Sequence, residues 1–344
     1  MDSLSKGGAA GAVRDGIRRV AAAPAVLAGS FALTLAISLP LAFALRDLLE
    51  AHLGRSLAAD AALAGANYEW WQEFAAQTAA LGTTFVPSIV GFGAVLQNLS
   101  NLLDNAPLVT AVAGVTGAWL VLSSFLSGGI LDRFARNRPT RGRGFFGACG
   151  AHFPAIARLG LIALAGYTLI FAWIHPLLFA TVYPRLTHEV AVERTAFGLR
   201  AALYLIFLAL LVLVNIVIDY ARIRIVVEDR RSAIGALVAG ARFVRRNFAA
   251  AVAVYLLNAF LFLAAIGLYA LAAPGAAVPP WLMVLAGETY ILLRHFLKLT
   301  FYASETALFQ GRLAHASYTA APPIEWPESP AAEAIANLNP AAAP

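Results

Sequence analysis

The stretch FGLRAALYLIFLALLVLVNIVIDY, Phe197–Tyr220, carries no charged residue between Arg200 in its first turn and Asp219. At 1.5 Å per residue it is long enough to cross about 30 Å of hydrocarbon. Five more runs share its character: Val20–Leu45, Leu108–Leu131, Ala155–Tyr183, Phe248–Ala273 and Trp281–Phe309. Lipid leaves no free backbone group satisfied, so each run must be a helix. The expected fold is an all-α, polytopic membrane bundle of six transmembrane helices in three hairpins, with interfacial amphipathic helices.

Composition agrees. The 344 residues are 60% hydrophobic and 13% charged, with a mean hydropathy of +0.73. Soluble domains carry about a quarter charged residues. The net charge of +6 is distributed by junction, which argues against a nucleic-acid surface. Lys6, Arg14, Arg18 and Arg19 precede the first run. Arg133, Arg136, Arg138, Arg141, Arg143 and Arg158 surround the second junction. Arg222, Arg224, Arg230, Arg231, Arg242, Arg245 and Arg246 fill the fourth, and Arg312 follows the sixth run. The intervening junctions hold only Arg46, Arg55, Arg185, Arg194 and Arg200. Under the positive-inside rule both termini lie in the cytoplasm, and the expected location is the bacterial inner (cytoplasmic) membrane. The twin Arg18-Arg19 before an apolar stretch resembles a signal peptide, but Val20–Leu45 exceeds the about 7–15 residues of a signal core. It reads as a retained span.

Along the chain, residues 1–19 form a basic amphipathic segment, 20–313 the membrane domain, and 314–344 a Pro/Ala-rich tail without apolar periodicity. The plan reads as a threefold repeat of cytoplasmic feeder helix, outward span and returning span. The feeders are residues 11–20, 145–158 and Ile234–Phe248. Pro24 and Pro154 stand where feeders would break into spans. In the third feeder Ile234, Leu237, Val238, Ala241, Val244 and Phe248 share one arc, flanked by Arg242, Arg245 and Arg246. Such a helix lies in the interface with its apolar arc toward lipid. The outer segment 46–107 carries Tyr68, Trp70, Trp71 and Phe74, expected at headgroup level, and an apolar stretch Phe85–Leu96 too short to cross.

The sixth run is unlike the others. Glu288, Arg294, His295, Lys298 and Glu305 fall within about a third of its circumference at 100° per residue. A charge near the bilayer centre costs at least about 2.5–3.5 kcal/mol, so these residues should face protein or water. Their expected counterparts are Asn215, Asp219 and Arg222 on the fourth run, with Asn258 and His175 as additions. Such a cluster reads either as a polar path or as mutually satisfied pairs that hold helices together. On the second run Ala113, Gly117, Ser124 and Gly128 make a small-residue face for close packing. Arg136, Arg138, Arg141, Arg143, Arg242, Arg245 and Arg246 are candidates for headgroup or partner contact, or are solvated orientation charges. No catalytic motif, metal-ligand spacing or phosphate loop appears, and the lone Cys149 has no partner base nearby in sequence. No cofactor is expected.

In Asp219-Tyr-Ala-Arg222-Ile-Arg224-Ile-Val-Val-Glu228-Asp229-Arg230-Arg231-Ser232, followed by Arg242-Phe-Val-Arg245-Arg246-Asn247, the chain resembles bacterial six-span membrane proteins. It is similar in plan to the YciC-like group and to the membrane domain found beside glycerophosphodiester phosphodiesterases. The resemblance covers about residues 140–310 and implies repeated feeder helices before spans. It carries no activity, because the soluble phosphodiesterase domain has no counterpart here, and the outer insertion 46–107 departs from the pattern. Ser232 is placed to cap the next helix. The expected function is non-enzymatic: scaffolding, through membrane lipids (anionic ones) or another membrane protein. The alternative is a transporter or permease using the charged stripe on the sixth run, with an intramembrane enzyme third.

Overall fold

The computed structural model describes residues 8–64, 67–85, 99–106, 110–273 and 278–313. Among these there is no strand. The helices are α1 (Ala9–Ala21), α2 (Pro24–Leu53), α3 (Ala59–Ala64), α4 (Tyr68–Gln77), α5 (Thr110–Arg136), α6 (Gly142–Leu169), α7 (Glu193–Val227), α8 (Ala233–Arg246), α9 (Phe248–Ala272) and α10 (Pro280–Arg312). Beyond Leu169, α6 continues through two π-helical stretches, Ile170–Ile174 and Leu177–Val182, to Thr187. Pro176 stands between them; its missing N–H and its ring clash with the preceding turn loosen the ladder there.

Five helices are long and apolar enough to cross a membrane: α2, α5, α6 with its continuation, α7 and α9. The chain is a multi-pass membrane protein. Six apolar spans are therefore not all recovered on composition. The sixth run does form a helix, α10, of 33 residues, but Glu288, Arg294, Lys298 and Glu305 interrupt its apolar stretch, and it is not among the five.

The arginine-bearing helix ends meet. Arg19 on α1 donates to the Phe134 carbonyl at the end of α5 (2.8 Å) and to Gln310 Oε1 at the end of α10 (2.7 Å). Gln310 returns a bond to the Ala135 carbonyl. Arg133 donates to Ala22 O between α1 and α2, and Arg158 on α6 to Arg231 O between α7 and α8. Around these bonds lies the main core: Leu131, Ile156, Ile216, Tyr220, Ile223, Phe243, Val254, Leu308 and Phe309. A smaller cluster joins Val20, Ile130, Phe134, Leu299 and Ala303.

Local sequence explains how the chain turns at this end. Asn137 and Asp229 adopt positive φ (51° and 47°) just past α5 and α7, a conformation Asn and Asp tolerate better than other side chains. After α7 the Arg230 N–H bonds back to Ile225 O, closing the helix with a Schellman-type bond. Ser232 then caps α8, accepting from the Gly235 N–H at 3.1 Å.

Four expectations need correction. First, α1 is not a helix floating in the interface. Ala12, Val13, Gly16 and Val20 are buried, and Gly16 lies so close to Ser304 that an added Cβ would sit 2.7 Å from its backbone nitrogen. Its small-residue face packs into the bundle instead. Second, Pro154 does not separate a feeder from a span; α6 runs through it. The carbonyl it deprives of a partner belongs to Gly150, an exposed residue, so continuing the helix costs little. Third, α2 extends to Leu53, past the boundary expected at Leu45, and buries no residue. Fourth, Trp70 and Phe74 are buried rather than spread at headgroup level, packed with His52 and Phe85. Tyr68 alone of that group is strongly exposed.

On α8 the buried face is Ala233, Ala236, Ala239, Gly240, Phe243 and Val244. The apolar arc expected to face lipid is split: Ile234, Val238, Ala241 and Phe248 are exposed, whereas Val244 is buried and Leu237 packs against the core. The small-residue face of α5 is tight only at its end: a Cβ on Gly128 would meet α6 at 3.1 Å, whereas Gly117 has open space. Gly129 is closer still, 2.6 Å from the Cys149 sulfur. The apolar stretch 86–96 and the tail 314–344 fall outside the described residues.

Candidate functional site

Two regions hold the residues singled out from sequence. The first is a polar cluster between α7, α9 and α10. On α7, Asn215, Asp219 and Arg222 recur every three or four residues and so share a face. Asn215 Nδ2 donates to Asp219 (3.0 Å) and lies 3.4 Å from the Tyr255 hydroxyl; Arg222 Nη1 donates to Asp219 at 3.0 Å. Glu305, 1% exposed, reaches Asp219 and Arg222 electrostatically from α10. Both of its carboxylate oxygens are buried without a hydrogen-bond partner among the described residues. With both acids ionised the trio would carry one surplus negative charge and an acid without a donor. Buried polar groups are rarely left so, and each such group points to strain or to a function.

The α10 stripe does not act as one unit. Glu288 and Glu305 are separated by 17 residues, about 25 Å along the helix. Lys298 instead lies over the Trp119 ring of α5, 5.4 Å from its centroid. With His295, Ser30, Ser123, Ser127 and Tyr302 it lines a cavity of about 40 Å³, room for a water or two. His295 meets Phe31 edge-on. Arg294 stacks over Phe262 and Tyr290 and is exposed, as is Lys298. Of the stripe, only Glu305 is fully buried; Glu288 and His295 are half-buried, and Lys298 and Arg294 keep exposed side chains stacked on aromatic rings. Asn258 bonds Ser304 Oγ at 2.7 Å, close to the cluster. His175 does not join; it contacts the Leu103 carbonyl at the far end.

Sequence reading missed Tyr167, Tyr220, Tyr255 and Tyr302, all of which interact electrostatically with the acids or Arg222. A signal was present. Tyr255 precedes Asn258 and Tyr302 precedes Glu305 by three residues, putting each tyrosine on its partner's face.

The second region is the arginine-rich end. Arg136 Nε donates to both carboxylate oxygens of Asp132, at 2.9 Å each. With Arg138, Asp132, His152 and Asp229 it lines an open basin of about 670 Å³ of mixed charge. Arg141, Arg143, Arg242, Arg245 and Arg246 are exposed and make no ion pair among the described residues. The seven candidates for headgroup contact thus divide: two sit among carboxylates, and five form an unneutralised collar. Arg14, Arg18 and Arg231 belong to the same collar. Arg224 is held by Glu228 (2.9 Å) and stacks over Phe309, which fixes α7 to α10. Among the described residues no group of His, Cys, Asp or Glu has the arrangement of a metal site.

Compared with protein-family models, with curated proteins and with solved structures, the chain matches none. The functional reading therefore rests on the geometry alone.

Proposed function

We propose that the chain is a non-enzymatic protein of a bacterial cytoplasmic membrane, crossing it six times as three hairpins with both termini inside. It acts by gathering anionic lipid, or an acidic face of another membrane protein, at its arginine collar. The observation that carries this reading is that Arg141, Arg143, Arg242, Arg245 and Arg246 stay exposed and unpaired while nearby arginines are neutralised. Arg242, Arg245 and Arg246 also cluster in the last turns of α8, beside the exposed apolar Ile234 and Val238. That pairing of cations with an outward apolar arc suits a headgroup layer, where each basic residue contributes about 1 kcal/mol. Reversing Arg242, Arg245 and Arg246 to glutamate should lower the anionic phospholipid that co-purifies with the full chain. An unchanged lipid profile and unchanged co-purifying proteins would sink the proposal.

A second reading, transport of a proton or small cation, is favoured by one observation: the Lys298 cavity and the unpartnered Glu305 share Tyr302 as a neighbour. In proteoliposomes loaded with a pH-sensitive dye, it predicts a proton flux that Lys298→Met and Glu305→Gln both abolish in protein that remains monodisperse. No flux from the unaltered chain would rule it out.

A further inference from the structure

Beside the α1–α2 junction, a cleft of about 680 Å³ opens between α2, α5 and α6. Its size is that of a small-molecule site. The walls are apolar: Leu33 of α2, Leu122 and Phe125 of α5, Phe146 of α6. At its arginine-rich end stands Arg133, 4% exposed. One guanidinium nitrogen, Nη2, donates to Ala22 O at 2.7 Å; the other, Nη1, is buried without a partner among the described residues. A guanidinium presents five donors and no acceptor, so this one lacks an anion.

The rim supplies more of the same. Thr140 and Gly142 line it, and Arg141 is the N-cap of α6 with no side-chain cap on that helix. The free N–H groups of a 28-residue helix and its dipole favour negative charge there. Exposed Arg141 and Arg143 adjoin the lining residues Thr140 and Gly142 in the chain. Apolar walls, a buried cation with an unused donor, and an uncapped helix start describe an amphiphile of opposite charge.

We propose that this cleft binds one anionic phospholipid, with an acyl chain along Leu33, Leu122 and Phe125 and its phosphate at Arg133 and the start of α6. The choice of lipid over a second copy or a stretch of the chain itself follows from charge: the occupant must be apolar along its length and anionic at one end. The site deepens the lipid half of the proposed function and rests on that reading. Its buried cation is Arg133, which is not part of the collar, and Arg242, Arg245 and Arg246 do not line it, so reversing those three separates the two.

The test is native mass spectrometry of the full chain in detergent, titrated with phosphatidylglycerol and with phosphatidylcholine. The unaltered chain should retain one phosphatidylglycerol with about tenfold preference over phosphatidylcholine. Arg133→Gln should erase that preference. Gly29 lines the cleft and has open space around it, so Gly29→Leu should fill the cleft, preserve the fold and abolish retention of both lipids. Reversal of Arg242, Arg245 and Arg246 should leave the single retained lipid in place. Equal retention of the two lipids, or retention unchanged in both Arg133→Gln and Gly29→Leu, would overturn the proposal. Loss of the retained lipid on collar reversal alone would place it at the collar and equally overturn it.

Discussion

The two ends of this bundle are built from similar helices and packed by different means. At the arginine-rich end Leu131, Phe134, Ile216, Ile223 and Phe309 are essentially inaccessible. Gly16, Gly128, Gly129 and Gly240 each have a neighbour within 3.1 Å of where a Cβ would stand. At the opposite end α2 buries nothing, Trp173, Phe197, Leu271 and Trp281 are exposed, and Gly114, Gly117, Gly166, Gly198 and Gly267 face open space. Lipid tails are as apolar as leucine, so apolar content alone gives helices no reason to associate. Close backbone approach and buried polar bonds do. Both are concentrated where the arginines are; toward the other end the buried core shrinks to a small cluster around Ile170, Phe207 and Leu211.

The sharpest way to break this contrast is through two of its Asp–Arg pairs. Arg222 is held to Asp219 within the buried cluster, whereas Arg200 sits 3.7 Å from Asp104 on an exposed surface. Arg222→Leu leaves Asp219 and Glu305 without their cation and should cost about 3–5 kcal/mol in detergent unfolding. Arg200→Leu should cost less than about 1 kcal/mol. Comparable losses at both positions would contradict the division.

Glycines give the next test. Gly16→Val forces α1 away from the Ser304 backbone and should destabilise by about 1–3 kcal/mol. Gly166→Ala meets nothing and should be neutral or stabilise by up to about 1 kcal/mol through helix propensity. Thermal denaturation of the two variants side by side decides it.

The smallest effect expected is a pH response of the outer end. The Tyr204 hydroxyl holds the Asp104 carboxyl below the usual carboxylate range, with Ser100 and Arg200 acting in the same direction and burial opposing them. A lowered folded value means the contact is fully present at neutral pH and is lost only as pH falls through that depressed value. Hydrogen exchange over residues 99–106 should be flat down to about pH 5 once intrinsic rates are removed. Protection should fall only in stronger acid. Tyr204→Phe should move that fall to higher pH.

Much of this contrast was legible in the chain. Apolar runs marked where helices lie, and the i, i+4, i+7 stripe of Asn215, Asp219 and Arg222 placed a polar face that the fold brings against Glu305. The Ser232 cap was readable from residue type. What escaped was side-by-side placement. The α10 charges share an arc, yet nothing in that arc tells which neighbour each meets along about 25 Å of helix. Periodicity locates a face; it does not say that Lys298 meets Trp119 of α5 while Glu305 meets Asp219 and Arg222 of α7. For α1 the eye was drawn to arginines, whereas Ala12 and Gly16, small enough to disappear in a hydropathy profile, decide the packing.

The central claim is that the arginine-bearing ends share the cytoplasmic side and that α10 is a sixth crossing. Cys149, the only cysteine, is fully buried and gives a silent background for labelling. Single cysteines at Arg18, Arg143, Arg231 and Arg312 should resist an impermeant maleimide in intact cells and react after permeabilisation, whereas Arg55→Cys and Arg194→Cys should react at once. Immediate labelling at Arg312 with protection at Arg18, or opposite behaviour of Arg143 and Arg231, would contradict the account.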